Sequence, residues 1–167
     1  MENMKIAFIQ TGGTIDKAYP KKRGSYSFEI DKPAFQRVLK RVDLNLDTEY
    51  YSVLKMDSMD MTVSDRELIR DKCIEIDSDK IIITHGSDAM VETASVLSTI
   101  NNKTIVMVGS MIPECVKGSD ADFNLGLAVG AVSLMPNGVY ISMSGRIYDW
   151  DNCEKNDDSK FVEKGKK

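Results

Sequence analysis

The sequence predicts an α/β domain built on a doubly wound, mainly parallel sheet. Three observations predict this fold class. Short apolar and β-branched runs recur, segments of helical periodicity separate them, and polar turns follow most of the runs. Strands joined through helices lie parallel, because the helix carries the chain back across the sheet. With 167 residues, 42% of them hydrophobic, the chain is long enough to bury the core of one domain spanning residues 1–167.

Five runs are predicted to be strands. They are residues 5–9, 48–56, 80–84, 104–108 and 139–143. Residues 80–84 and 104–108 are nearly continuous apolar runs, as expected for parallel strands buried on both faces. Residues 48–56 alternate weakly and are rich in Tyr and Val, which favours a strand. After the first run, Gly12 and Gly13 predict a sharp turn, because glycine accepts positive φ angles.

The first two helical patterns are expected to begin at recognisable capping residues. Asp31 is predicted to cap the first helix, with Pro33 in its first turn. Ser64 and Glu67 are predicted to form a capping box at the start of the second. The apolar residues at helical spacing are Phe35, Val38, Leu39 and Val42 in the first helix, and Leu68, Ile69, Cys73 and Ile76 in the second.

Two further helices and two irregular segments complete the pattern. Ser87 or Asp88 is predicted to cap the third helix. The fourth helix, rich in small residues, spans about 122–134 and ends before a proline. Polar residues 16–29 lack helical periodicity and predict a mobile flap beside the first turn. Residues 146–167 become polar and lysine-rich, which predicts a loop and a frayed tail.

Composition argues against several classes of protein. The net charge of -4 and the pI near 5.1 leave no basic stripe for phosphates, so we expect no nucleic-acid partner. Cys73, Cys115 and Cys153 are odd in number and widely spaced, unlike a disulfide framework or a zinc pattern. No signal peptide is visible and no apolar run approaches membrane-spanning length, so we expect a cytoplasmic protein without a membrane partner. Gly12 and Gly13 lack the third glycine of a dinucleotide fingerprint, and no ligand cluster indicates a metal.

Polar side chains follow four of the predicted strands. They are Thr14, Ser58, Ser87, Asp88 and Ser110. The carboxyl ends of parallel strands lie along one edge of a sheet, where α/β proteins bind ligands. Hydroxyls, a carboxylate and the N–H groups of helix starts can together form an acyl-transfer site. The same residue types are the usual N-caps after strands, so the pattern alone leaves both interpretations open.

The only histidine, His85, would have to serve any Ser–His–Asp system in this chain. It stands before a glycine at the end of a buried strand, which favours a hydrogen-bonded structural histidine. The Gly-x-Ser-x-Gly elbow of many hydrolases is missing from the sequence.

Four motifs in order resemble the bacterial-type L-asparaginase family. They are residues 11–15 (TGGTI), 85–93 (HGSDAMVET), 106–113 (VMVGSMIP) and 122–125 (DFNL). The resemblance covers nearly the whole chain and corresponds to the family's N-terminal catalytic domain only. We therefore expect the smaller C-terminal domain of the family to be missing, and the architecture to be flavodoxin-like.

The resemblance implies a catalytic set of four residues. Thr14 matches the family's nucleophile, and Tyr26 matches the flap tyrosine beside it. Ser87 stands where a second catalytic threonine is usual. Lys155 best matches the lysine paired with that second hydroxyl, at a longer spacing from Gly145 than in many members. Such a lysine can accept a proton when partial burial disfavours its charge.

The resemblance also implies a substrate-binding set. Ser58 matches the substrate-binding serine, and Asp88 matches the aspartate that holds the substrate's α-amino group. Met59 stands where the family commonly has glutamine, which removes an amide that contacts the substrate. Backbone N–H groups near Ser87 and Ser110 are expected to hold the oxyanion of the acyl-enzyme.

These residues imply an enzyme that hydrolyses a small amino-acid amide without metal or cofactor. The expected reaction converts L-asparagine to L-aspartate and ammonia through a β-aspartyl ester on Thr14. The alternative is a non-catalytic amino-acid-binding or assembly protein that retains the fold. Because the family builds its sites between subunits, we expect a homodimer or homotetramer that uses the fourth helix. The residues expected on that contact face are Leu125, Gly126, Ala128, Val129, Gly130 and Val132.

Overall fold

A computed structural model describes residues 4–24 and 27–165 of the chain. The strands of its central sheet are β1 (Lys5–Gly12), β4 (Asp47–Met56), β5 (Lys80–Thr84), β6 (Thr104–Val108), β7 (Gly138–Met143) and β8 (Arg146–Asp149). Their order across the sheet is β4-β1-β5-β6-β7-β8. All neighbours pair in parallel except β8, which runs antiparallel to β7. The predicted α/β class and mainly parallel sheet are confirmed.

Helices and two small hairpins surround this sheet. The helices are α1 (Ala34–Arg41), α2 (Val63–Glu75), α3 (Met90–Leu97) and α4 (Ala121–Leu134). One hairpin pairs β2 (Lys17–Ala18) with β3 (Glu29–Ile30), and the other pairs β9 (Cys153–Lys155) with β10 (Phe161–Glu163). The first hairpin is the base of the predicted flap.

The central strands are buried on both faces and feed two apolar layers. Successive side chains of a strand point to opposite faces. In β5, Ile81 and Ile83 pack in the layer that holds residues of α2 and α3, whereas Ile82 packs in the layer that holds residues of α1 and α4. This two-sided packing fixes where the carboxyl ends of β1, β5 and β6 lie.

The capping residues of the first and third helices come from elsewhere in the chain, which corrects two predictions. Asp31 lies three residues before Ala34 and pairs with a lysine, while the Ala34 N–H donates to the Asp16 carboxylate at 2.7 Å. Neither Ser87 nor Asp88 occupies the N-cap position of α3, and the Ala89 N–H donates to Ser58 Oγ at 3.3 Å. Both helix starts are thus satisfied by tertiary hydrogen bonds.

The second helix begins two residues earlier than predicted. Thr62 and Asp65 form its capping box, because Thr62 has the extended backbone of an N-cap and Ser64 already lies in the first turn. Val42 and Leu68 were predicted to lie on the apolar faces of the first two helices, but they are 58% and 50% exposed. The remaining apolar residues predicted to be buried on α1 and α2 lie in the core.

The predicted loop and frayed tail after residue 145 are wrong in the described part of that segment. It forms β8, β9 and β10, and it buries Tyr148, Cys153 and Phe161. The Tyr148 hydroxyl donates to the Phe161 carbonyl at 2.8 Å. The apolar residues of this segment are few and lie among charged ones, so its sequence shows no strand pattern. Its strands form because β8 pairs with β7 and β9 pairs with β10.

The fourth helix presents a different exposed face from the predicted one. Leu125, Ala128 and Val132 are buried in the sheet-facing layer. The apolar or small residues that face outward are Phe123, Gly126, Gly130 and Leu134. The face expected to contact a second subunit must therefore be redrawn around this outward set. In the part of the chain that the structure describes, no helix is long and apolar enough to cross a membrane.

Candidate active site

The turns after β1, β4 and β5 touch one another through glycines. Gly13 has φ 83°, and a Cβ on it would lie 2.3 Å from the Gly86 nitrogen. A Cβ on Gly86 would in turn lie 2.5 Å from Ser58 Oγ. Only glycine allows the backbone to approach so closely. Thr14 and Ser87 follow the two glycines in sequence, so these contacts bring three polar turns to one edge of the sheet.

Thr14 begins a short 3-10 turn, Thr14–Asp16, at this edge and is half-buried. None of the residues in the described ranges hydrogen-bonds its hydroxyl. Thr14 Oγ1 is therefore not committed to any neighbour that the structure describes. Tyr26, the expected flap residue, lies outside the described residues.

Lys155, Ser87 and Asp88 form one polar cluster. Lys155 Nζ donates to Ser87 Oγ at 3.1 Å and to Asp88 Oδ1 at 2.5 Å. The lysine side chain is 18% exposed and the aspartate side chain 52% exposed. Lys155 ends β9, whose pairing with β10 directs it to the turn after β5. The contact between Lys155 and Ser87 has the geometry that a proton relay needs.

Ser58 is fully buried beneath this cluster, whereas its neighbour Met59 is 70% exposed. Ser58 Oγ accepts the Ala89 N–H, which leaves its own O–H available to donate. Asp57 fixes the turn by accepting the Met59 N–H at 3.2 Å and pairing with Lys17 at 3.3 Å. Partial burial of Asp57 opposes its charge, but these two donors still hold the pKa of its carboxyl below the usual value.

Ser110, at the end of β6, is nearly fully buried and engaged within its own loop. Its hydroxyl donates to the Ile112 carbonyl at 2.6 Å. Asn124 of α4 reinforces this loop by donating to the Gly109 carbonyl at 3.1 Å. The Ser110 side chain therefore stabilises the turn, and its contact with a substrate stays a prediction.

Comparison with known proteins shows which family this chain belongs to. The Asparaginase, N-terminal family model matches residues 5–162. L-asparaginase 1 of Escherichia coli is 32% identical over 93% of this chain and 48% of its own length. The glutaminase-asparaginase of Acinetobacter glutaminasificans is 28% identical over 86% of this chain and 47% of its own.

The chain belongs to the asparaginase family. A solved structure, the thermostable L-asparaginase from Thermococcus kodakarensis, superposes with a TM-score of 0.83 at 27% identity. It covers 96% of this chain and 51% of that one. The chain spans about half the length of the curated relatives it matches, and the matched half is the N-terminal domain of the asparaginase family.

His85 is fully buried behind the turns of the candidate site and stabilises the turn after β5. Its Nδ1–H donates to the Gly86 carbonyl at 2.8 Å, and its Nε2 accepts the Thr93 hydroxyl at 2.8 Å. Complete burial lowers the pKa of His85 to about 4, despite the carbonyl partner. The imidazole is therefore neutral near pH 7 and already hydrogen-bonded on both nitrogens, as a structural histidine is.

Sequence reasoning missed Asp16, which lies buried two residues after Thr14. Its Oδ2 accepts Gln10 Nε2 at 3.2 Å and Thr84 Oγ1 at 3.3 Å. The available signal was a glutamine and an aspartate placed among apolar residues on either side of the glycine turn. Such residues are rarely buried unless they are paired.

Proposed function

We propose that this chain carries the hydrolytic site of an asparaginase-type amidohydrolase that acts on L-asparagine. The observation that carries the proposal is the contact of Lys155 with Ser87 and Asp88, next to the turn of Thr14. A hydroxyl nucleophile needs a base or a hydrogen-bonded relay to become reactive. The cluster supplies a hydroxyl and an amine in contact, and Thr14 supplies a hydroxyl that no described residue engages.

In the first half-reaction, Thr14 Oγ1 attacks the side-chain carbonyl carbon of asparagine. The hydroxyl proton passes to Ser87 and onward to Lys155, and a proton returned by this relay leaves with the amide nitrogen as ammonia. A β-aspartyl ester on Thr14 remains. Backbone N–H groups near Ser87 and Ser110 are suited to the developing oxyanion.

In the second half-reaction, water attacks the ester carbonyl and the same relay removes one of its protons. The ester bond breaks, L-aspartate leaves, and Thr14 regains its hydroxyl proton. No external oxidant or reductant is needed, because the net reaction adds one water and releases ammonia. The half-exposed Asp88 carboxylate is suited to the α-ammonium of the substrate.

The ion pair of Asp88 with Lys155 also favours the rival candidate, an amino-acid-binding protein without turnover. In this ion pair the lysine is an ammonium, which has no lone pair with which to accept a proton. An α-ammonium arriving at Asp88 would compete with Lys155 for this carboxylate. If the protein is an enzyme, that competition frees Lys155 for the relay. If it is only a binding protein, the ligand binds at Asp88 and no reaction follows.

An ammonia-release assay on asparagine, glutamine and D-asparagine, run beside calorimetry with asparagine and aspartate, separates the two candidates. Ammonia release from asparagine supports the proposal. Tight binding of asparagine or aspartate without any release would overturn it in favour of the rival.

A further inference from the structure

Asp16 is a fully buried carboxylate at the centre of a polar network beneath Thr14. Its Oδ1 accepts the Ala34 N–H at the start of α1. Its Oδ2 accepts Gln10 Nε2 from β1 and Thr84 Oγ1 from the end of β5. One side chain thus joins the turn of Thr14 to a helix and two strands. A buried carboxylate is costly unless such donors satisfy it.

The same network closes the base of the flap hairpin. The Asp31 N–H donates to the Asp16 carbonyl at 3.1 Å, and Gln10 Nε2 donates to the Asp31 carbonyl at 2.8 Å. Gln10 Oε1 accepts the Ser52 hydroxyl of β4 at 2.8 Å, which fixes the orientation of its amide. Hydrogen bonds between Asp16, Asp31 and Gln10 therefore hold the two ends of the flap segment together.

Two opposing effects set the pKa of the Asp16 carboxyl. Burial raises its pKa to about 6, although the donors from Ala34, Gln10 and Thr84 and the guanidinium of Arg37 all act in the opposite direction. Arg37, on α1, is itself paired with the buried Glu114 at 2.6 Å. The Glu114 N–H in turn donates to the Ile15 carbonyl at 3.3 Å, so this ion pair also packs on the Thr14 turn.

Protonation would reverse one hydrogen bond at the end of β5. The charged carboxylate accepts the Thr84 hydroxyl, whereas a protonated Oδ2 has to donate to it. The Thr84 hydroxyl would then rely on its second contact, the Ile9 carbonyl at 3.4 Å. Thr84 stands three residues before Ser87, so the change reaches both turns of the proposed site.

We propose that Asp16 is a positioning residue: its ionised carboxylate holds the Thr14 turn and the Ser87 turn in register and anchors the flap base, and its protonation loosens both. This inference rests on the proposed function for the roles of Thr14 and Ser87. At pH 7 the carboxylate is mostly ionised and the network is intact. Below pH 6 the protein shifts to the loosened state.

The kinetic test is the pH profile of kcat/KM for the full chain and for Asp16→Asn, which resembles the protonated carboxyl. The wild-type profile should show an inflection near pH 6 with lower values on the acid side. Asp16→Asn should lose that inflection and lower kcat/KM by roughly 10- to 100-fold at pH 7.5. Asp71→Asn, the same change on the exposed surface of α2, should keep the wild-type profile. An unchanged inflection in Asp16→Asn would overturn the inference.

A readout without turnover separates this inference from the proposed function. The amide NMR resonances of Thr14 and Ser87 should shift with a midpoint near pH 6 in the wild type and not in Asp16→Asn. The only histidine cannot cause such a midpoint, because burial lowers the pKa of His85 to about 4. Resonances that stay constant from pH 5 to 7 would refute the positioning role. A midpoint near 6 without ammonia release would support it and count against the proposed function.

A second variant keeps the test decisive if Asp16→Asn does not fold. Thr84→Val removes a hydroxyl that stabilises the carboxylate and keeps the shape of the side chain. The midpoint seen at the Thr14 amide should move to higher pH, because the charged form loses a donor. A midpoint that does not move would contradict the network.

Discussion

Lys155 Nζ lies 3.1 Å from Ser87 Oγ, although 68 residues separate the two in sequence. Ser87 follows the end of β5, and Lys155 ends the first strand of a hairpin beyond the last strand of the sheet. β8 runs antiparallel to β7 and away from the carboxyl edge, and the 3-10 turn Trp150–Asn152 and β9 then bring Lys155 back to Ser87. A family resemblance suggested this pairing, and the fold provides the contact.

Thr14→Ala should reduce ammonia release by roughly 1,000-fold or more, because it removes the nucleophile of the proposed reaction. Folding should be nearly unchanged, since no described residue hydrogen-bonds the hydroxyl. Steady-state assays and thermal unfolding measure the two effects. Thr99→Ala, at an exposed position after α3, is the matched control and should retain activity. Near-wild-type ammonia release in Thr14→Ala would exclude the threonine mechanism.

Lys155→Met should lower turnover by roughly 100-fold or more, because the relay loses its proton acceptor. The loss of stability should stay below about 1 kcal/mol, since Asp88 is half-exposed and its ion pair is screened. Lys160→Met, at an exposed position of the same hairpin, is the control. Full activity in Lys155→Met would show that the lysine has no part in the relay.

His85 should make the protein less stable as the pH falls. Its folded pKa of about 4 lies below the usual 6.5, so the unfolded chain binds more protons between these values. The stabilisation is complete above pH 6.5 and is lost as the pH falls to 4. The change approaches about 3 kcal/mol, at roughly 1.4 kcal/mol per pKa unit.

Asp16 should have the opposite effect over nearly the same range. Its folded pKa of about 6 lies above the usual 3.8, so its contribution to the free energy of unfolding is complete below pH 3.8 and is lost as the pH rises through 6. The ionised carboxylate orders the two turns locally, but burying its charge lowers the stability of the whole fold. The two groups therefore nearly cancel in the wild type. Urea unfolding from pH 4 to 6.5 should show Asp16→Asn gaining stability relative to wild type by about 3 kcal/mol as the pH rises. A constant difference between the two proteins would be inconsistent with a raised pKa at Asp16.

Gly13→Ala should cost several times more stability than Gly24→Ala, although both glycines have φ 83°. The backbone strain is shared and amounts to about 1–2 kcal/mol. At Gly24 a Cβ meets nothing within 4 Å, whereas at Gly13 it meets the backbone of Gly86. Activity should survive only in Gly24→Ala. Equal unfolding free energies in the two variants would mean that the turns after β1 and β5 do not touch.

The expected homodimer should form through the outward face of α4, redrawn around Phe123, Gly126, Gly130 and Leu134. Gly130→Arg is a clean probe, because a Cβ there points into open space and the helix itself gains from losing a glycine. Sedimentation at micromolar concentration should show a dimer for the wild type and a monomer for this variant, with folding preserved. A wild-type monomer with full activity would refute the prediction.

The sequence by itself determined the features that depend only on residues close together in the chain, namely the parallel strands, the glycine turn and the family motifs. Apolar runs specified β1, β5, β6 and β7, because a strand buried on both faces needs little besides β-branched and apolar side chains. Weak alternation and a high content of Tyr and Val specified β4 at the edge of the sheet. Gly12 and Gly13 specified the turn after β1, since few other residues accept its positive φ angles. The motif around Thr14 and the one at residues 85–93 carried the family resemblance that the comparisons confirmed.

Tertiary structure alone decided which groups satisfy one another across the fold. Asp16 accepts the first N–H of α1 and Ser58 accepts the Ala89 N–H before α3, where local rules pointed to Asp31 and to Ser87 or Asp88. Hydrogen bonds depend on distance and direction in space, and a helix start accepts any carboxylate or hydroxyl that the fold delivers to it. Burial of a single aspartate likewise depends on every element packed around it. The balanced charge of Asp16 is therefore a property of the assembled strand ends and of no short stretch of sequence.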